Sequence, residues 1–125
     1  MKEIITTSQA PAAIGPYSQA VKVDNLLFVS GQLGIDPSTG NFSGDTVTQQ
    51  SEQAFQNLNA ILKAAGTSME NVVKITVYLT DMATFGELNE VYARQFNEDF
   101  PARSAIAVRE LPKQGLVEIE AIATL

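Results

Sequence analysis

The chain contains no cysteine and no histidine. Without cysteine there can be no disulfide, thiol nucleophile, iron–sulfur ligation or Cys-rich zinc site. Without histidine the usual general base near neutral pH is missing, as is the commonest metal ligand. Any proton chemistry must rest on carboxylates, tyrosine, lysine or water. Basic residues are also scarce: 8 Lys and Arg stand against 14 Asp and Glu, a net charge of −6. With no Lys/Arg run, nothing matches the phosphate backbone of a nucleic acid, which is therefore not an expected partner. Long apolar runs are missing as well. Stretches such as Leu26 to Val29 are far too short to cross a bilayer, so no membrane partner is expected. The start, Met1 to Ile5, lacks the basic region and apolar core of a signal peptide, and a cytoplasmic location is expected.

What the chain does contain is an ordinary globular composition, 45% hydrophobic and 18% charged over 125 residues. That length fits one domain, residues 1–125, with a single core. Val21–Val23 and Leu26–Ser30 read as strands joined at Asp24-Asn25, a hairpin pattern. Ser30-Gly31-Gln32-Leu33-Gly34 and the turn formers from Asp36 to Asn41 follow. Thr46-Val47-Thr48-Gln49 matches a capping box, and Val47, Ala54, Leu58, Ile61, Leu62 and Ala65 recur at helical spacing until Gly66. Val72 to Thr80 reads as a strand, with Val73, Ile75, Val77 and Leu79 on one face. Thr84-Phe85-Gly86-Glu87 reads as a second capping box, opening a helix that continues through Phe96 until Pro101 forbids it. Ser104–Val108 and Leu116–Thr124 supply the last strands. The order predicts an α+β fold, one mixed β-sheet with two helices packed on one face. Strands apolar on both sides, with helices for only one, predict that the second face is buried against other subunits.

Several residues could carry chemistry. In Pro101-Ala102-Arg103-Ser104, Arg103 stands at the mouth of a strand. Its fixed donors and permanent charge suit a substrate carboxylate, though a surface arginine laying its stem over apolar neighbours has the same pattern. Glu118 and Glu120 lie two apart on one strand, so both point to one face about 7 Å apart. Such a pair divides acid and base work when its surroundings separate the pKa values, and otherwise forms a solvated strip. Set among aliphatics, these acids would need a donor or have a raised pKa. Tyr17 could hydrogen-bond a substrate heteroatom or simply pack. Ser30, with no histidine to activate it, suits hydrogen bonding better than nucleophilic attack. Asn89 reads as a cap, a solvent-facing residue or a loop support. Gly31 and Gly34 form neither a Walker loop nor a dinucleotide fingerprint.

Together, Gly15-Pro16-Tyr17-Ser18-Gln19-Ala20, Ser30-Gly31-Gln32, Pro101-Ala102-Arg103-Ser104 and Val117-Glu118-Ile119-Glu120-Ala121 resemble the RidA (YjgF) family of reactive-intermediate deaminases, essentially end to end. The resemblance implies a chorismate-mutase-like fold, a homotrimer, and active sites in clefts between subunits. It implies hydrolysis of 2-imino acids, such as 2-iminobutanoate and 2-iminopropanoate, to 2-keto acids and ammonia, with no cofactor and no metal. Such a reaction protects pyridoxal-phosphate enzymes from damage by the imines. On this resemblance Arg103 clamps the substrate carboxylate, and Glu118 positions and deprotonates the attacking water. Tyr17 and Ser30 hydrogen-bond substrate or water, while Gly31, Asn89 and the backbone around Ala105 complete the binding set. Many relatives carry cysteine where this chain has Ala105, which alters pocket volume. Other readings are a non-catalytic module that senses 2-keto acids, a ribonuclease or translation inhibitor, and an apolar holdase.

Overall fold

The computed structural model describes residues 1–125. Its strands are β1 (Glu3–Ile5), β2 (Ala20–Val23), β3 (Leu26–Leu33), β4 (Val72–Leu79), β5 (Ala102–Ala107) and β6 (Val117–Thr124). Helix α1 (Val47–Ala64) joins β3 to β4, and α2 (Phe85–Ala93) joins β4 to β5. All six strands form one sheet in the order β1-β2-β3-β6-β4-β5. Only β4 and β5 pair in parallel, so the sheet is mixed and the α+β expectation holds. No helix is long and apolar enough to cross a membrane.

Local chemistry sets these boundaries. Thr46 caps α1 as its spacing predicts: Gln49 N–H donates to Thr46 Oγ1 at 3.1 Å, and Thr46 N–H donates to Gln49 Oε1 at 3.3 Å. The helix ends in a Schellman motif. Gly66, at φ +86°, donates its N–H to Lys63 O, and Thr67 N–H reaches back to Leu62 O. Helix α2 differs from the expected helix at both ends. Thr84 lies in a 3₁₀ turn, Met82–Thr84, with φ −91° and ψ 3° rather than extended, and its hydroxyl donates backward to Asp81 O. There is therefore no second capping box. The helix also stops at Ala93, where Gln95 turns its side-chain amide onto Val91 O.

Leu27, Val29, Ile75, Val77, Leu79, Val117 and Ile119 point toward the helices and close a continuous core with Ala54, Phe55, Leu58, Ile61, Leu62, Leu88 and Val91. One face of the sheet is thus covered and the other is free of helix. Val73 does not share the covered face, contrary to the alternation expected along β4. An irregularity in the β4–β6 register between Val72 and Lys74 buries Val72 and leaves Val73 exposed. The helix-free face is less uniformly apolar than the strand sequences suggest. It presents Phe28, Ile106 and Ile122 together with Thr76, Tyr78, Glu118 and Glu120.

The N-terminal segment between β1 and β2 is held by one side chain. Gln19, 3% exposed, accepts Thr7 N–H at 2.7 Å and donates to the carbonyls of Thr7, Ala10 and Pro11. Gln19→Leu keeps the volume and abandons all four bonds. The expected result is a loss of about 2–4 kcal/mol of stability, since each unpaired buried polar group costs about 1–3 kcal/mol. Denaturant unfolding at fixed protein concentration measures it, and an unchanged midpoint would show that the amide network is dispensable.

Candidate active site

A β-bulge creates the site's geometry. Val29 pairs with Ala121 and Gln32 with Ile119, so β3 uses three steps where β6 uses two. The extra residue falls at Ser30-Gly31, and strand β3 passes through this point rather than ending there. Ser30 N–H donates to Gln19 O, and Ser30 Oγ donates to Ser18 O at 2.6 Å. The serine thereby ties the segment bearing Tyr17 to the sheet. With its proton committed to Ser18, its hydroxyl faces a ligand as an acceptor.

Gly31 lies against Glu118. A Cβ at this position would come within 2.7 Å of Glu118 Cδ, so only glycine lets the carboxylate occupy this place without shifting. The requirement is close approach, not an unusual backbone angle. Glu118 is half-buried, and neither a hydrogen bond nor an ion pair within the chain engages its carboxylate. Burial pushes its pKa up, and repulsion from Glu120 adds to that in the same direction.

Tyr17, Ser30, Gly31 and Glu118 line one cavity of about 710 Å³. Its remaining walls come from the segment held by Gln19, the loop after β3, and Pro112-Lys113. Tyr17 is 53% exposed there. Its ring stands at the rim of the cavity and not in the core. Sequence reasoning passed over two contributors. Gln19 organises a wall, and its only signal was a polar residue beside Tyr17 in the quoted block. Lys113 adds a cation, and with Gln114 it holds left-handed backbone angles of φ 56° and 62°. The turn formers of Leu-Pro-Lys-Gln-Gly were the signal available for it.

Arg103, Asn89 and Ala105 do not line this cavity. Arg103 pairs across the sheet with Ile75, which in turn pairs with Ala121, so it belongs to the helix-covered side of edge strand β5. Its Nη1 donates to Asn89 Oδ1 at 2.7 Å. Its guanidinium carbon lies 4.6 Å from the Tyr92 ring centroid and 5.1 Å from that of Phe85. No carboxylate pairs with it; the one ion pair in the chain joins Arg94 to Glu52. The guanidinium is oriented by its neighbours and keeps donors free for an anion. Asn89 therefore supports the arginine from α2, and Ala105, level with Val77, packs partly buried two residues along β5.

The residues thus form two groups. One is a water-accessible carboxylate of raised proton affinity in a cavity. The other is an oriented, uncompensated guanidinium on the opposite side of the sheet, with β4 between β6 and β5. Within one chain they cannot hold the same small molecule.

Comparison with known proteins identifies the family. The family model described as Endoribonuclease L-PSP matches residues 7–125. A RutC family protein of Pyrococcus horikoshii is 54% identical, over 98% of both chains. The 2-iminobutanoate/2-iminopropanoate deaminase of Mus musculus is 52% identical, over 98% of this chain and 91% of its own. The crystal structure of RidA from the Antarctic bacterium Psychrobacter sp. superimposes with a TM-score of 0.95 at 50% identity, covering 98% of this chain and 99% of that one. With a matching model, half-identical relatives and the same fold from end to end, this chain belongs to the RidA (YjgF) family.

Proposed function

We propose that this protein hydrolyses reactive 2-imino acids to 2-keto acids and ammonia, as a homotrimer whose active sites are shared between copies. The observation that carries the proposal is the separation of the two groups. Glu118 faces an open cavity with no internal partner, and Arg103 offers free donors elsewhere. Each lacks what the other provides, and a neighbouring copy can join them. Exposed Phe28 and Ile106 on the helix-free face supply apolar surface for that assembly. The deaminase name of the mouse relative supports the reaction class.

In the proposed reaction, Arg103 of one copy binds the carboxylate of the imino acid through charge-assisted hydrogen bonds. Asn89, Tyr92 and Phe85 hold it in orientation. Glu118 of the adjacent copy accepts a proton from water as the water oxygen bonds to the iminium carbon. The same carboxyl then returns the proton to nitrogen in the resulting carbinolamine. The C–N bond breaks and ammonia leaves as Glu118 takes the hydroxyl proton, yielding the keto acid, and that proton then passes to the ammonia. A raised proton affinity serves both halves of this cycle. Tyr17 and the acceptor face of Ser30 hydrogen-bond the polar atoms of the intermediate. The iminium carbon is already electrophilic, so placement and one proton shuttle suffice without a metal or cofactor.

The test generates 2-iminobutanoate with a threonine dehydratase and traps it with semicarbazide. Wild type should reduce semicarbazone formation, and Arg103→Ala should lose about ten- to a hundredfold of that activity, the value of a charge-assisted carboxylate contact. Equal trapping with wild type and with no protein would remove the hydrolase reading and leave keto-acid binding as the function to examine.

A further inference from the structure

Glu120 lies two residues beyond Glu118 on β6 and shares its helix-free face, about 7 Å further along the strand. The two are engaged differently. Tyr78 Oη donates to Glu120 Oε1 at 2.8 Å, whereas Glu118 has no donor. Strand register produces this asymmetry. Tyr78 stands opposite Glu118, and Thr76 stands opposite Glu120, so the phenol passes its direct partner and reaches the next carboxylate diagonally. The Tyr78 hydroxyl is correspondingly harder to ionise, first because it donates to Glu120 and then because it is partly desolvated. Glu120 lines a separate cavity of about 190 Å³, with Phe28, Lys74 and Thr76, and has no part in the wall of the larger one.

We propose that Glu120, oriented by Tyr78, is a positioning residue that acts through Glu118, its fixed negative charge making Glu118 a stronger proton acceptor without touching the substrate. This rests on the imine-hydrolase reading. The surroundings leave Glu120 as the unbalanced charge nearest to Glu118 along its own strand. Strand β3, from Leu26 to Leu33, carries no ionisable group. On β4 the ionisable residues are Tyr78, bound to Glu120, and Lys74, whose Nζ reaches Ser104 Oγ at 3.3 Å. The loops bring Tyr17 and Lys113 to the cavity, and the assembled site adds Arg103 of the neighbouring copy. Lys113 and Arg103 favour the ionised carboxylate, and Glu120 opposes them. Together with burial it keeps Glu118 able to take a proton from water and give it back.

Glu120→Gln separates charge from shape, because the amide oxygen can still accept from Tyr78. In the full-length assembled protein, ¹³C NMR follows the Glu118 carboxyl carbon, assigned by its loss in Glu118→Gln. The midpoint of its titration should fall by about half to one unit in Glu120→Gln, from the Coulomb energy of charges about 7 Å apart. The acid limb of kcat/KM for imine hydrolysis should move down by the same amount. Tyr78→Phe leaves the charge but lets it swing toward solvent, and should give a smaller shift of the same sign. An unmoved Glu118 midpoint in Glu120→Gln overturns the inference, as does an acid limb that moves while the Glu118 carbon does not. If the midpoint falls in a protein that hydrolyses no imine, the coupling stands and the hydrolase reading fails.

Discussion

Glu118→Gln is expected to lower kcat/KM for imine hydrolysis by about a hundred- to ten-thousandfold, the usual contribution of a positioned acid or base. The same change should make the folded protein more stable at neutral pH. Both effects come from one cause. Glu118 is held half-buried with no donor, so folding raises its pKa above the unfolded value. Between those two values the folded chain binds more protons than the unfolded one, and stability falls as pH rises through that window. Above the folded value the ionised carboxylate is a standing cost, which a neutral amide of the same shape removes. Thermal unfolding of wild type and variant across the pH range checks the sign. The difference should be largest at neutral pH and vanish once Glu118 is protonated. A variant that lost activity because it misfolded would show lower stability instead. The close fit of Gly31 against this side chain accommodates the amide, since glutamine matches glutamate in size.

The second large effect is complementation. Arg103→Ala and Glu118→Gln proteins should each be nearly inactive, and a mixture unfolded and reassembled together should recover about a quarter of wild-type activity. The arithmetic follows from sites that take one group from each of two copies in a closed ring. In an equal random mixture, about half of the arginine donors and half of the carboxylate donors are intact, and they meet independently. A site built within one chain would recover nothing, because no single chain would carry both residues. The geometry argues for the first outcome. Arg103 sits on the helix-covered side of edge strand β5, and Glu118 faces a cavity on the helix-free side of β6. Zero recovery on mixing, with both variants assembled, would place both groups in a site of one chain and overturn the shared-site reading.

Much of this fold is written in local pattern. The hairpin at Asp24-Asn25, helix α1 with its Thr46 cap and Gly66 stop, and the strand character of β4 to β6 all follow from short-range chemistry. Helix α2 was legible only in part. The Thr84-to-Glu87 spacing resembles a capping box, but Asp81 had already bent the chain into a 3₁₀ turn that removes the extended backbone a cap requires. Val73 lies on the face opposite to the one its alternation predicts, because a one-residue irregularity reverses alternation without leaving a mark in hydrophobicity. Strand β1 is not legible in the sequence: three residues, Glu3–Ile5, are too short to establish a period.

The site divides along the same line. The sequence by itself determined the chemical inventory: no thiol, no imidazole, an arginine suited to a carboxylate, paired glutamates on one strand, and motifs that match one family. Residue type and spacing of two suffice for those statements, because side-chain chemistry is intrinsic and strand alternation is local. Tertiary structure decided which of these groups meet. The bulge at Ser30-Gly31 brings β3 against Glu118, and Tyr78 selects Glu120 and leaves Glu118 free. Gln19 closes the cavity wall from a distance in sequence, while α2 places Asn89 and Tyr92 around Arg103. The first two depend on register between strands distant in sequence. Register is set by the packing of the whole core, so no local stretch of the chain specifies it.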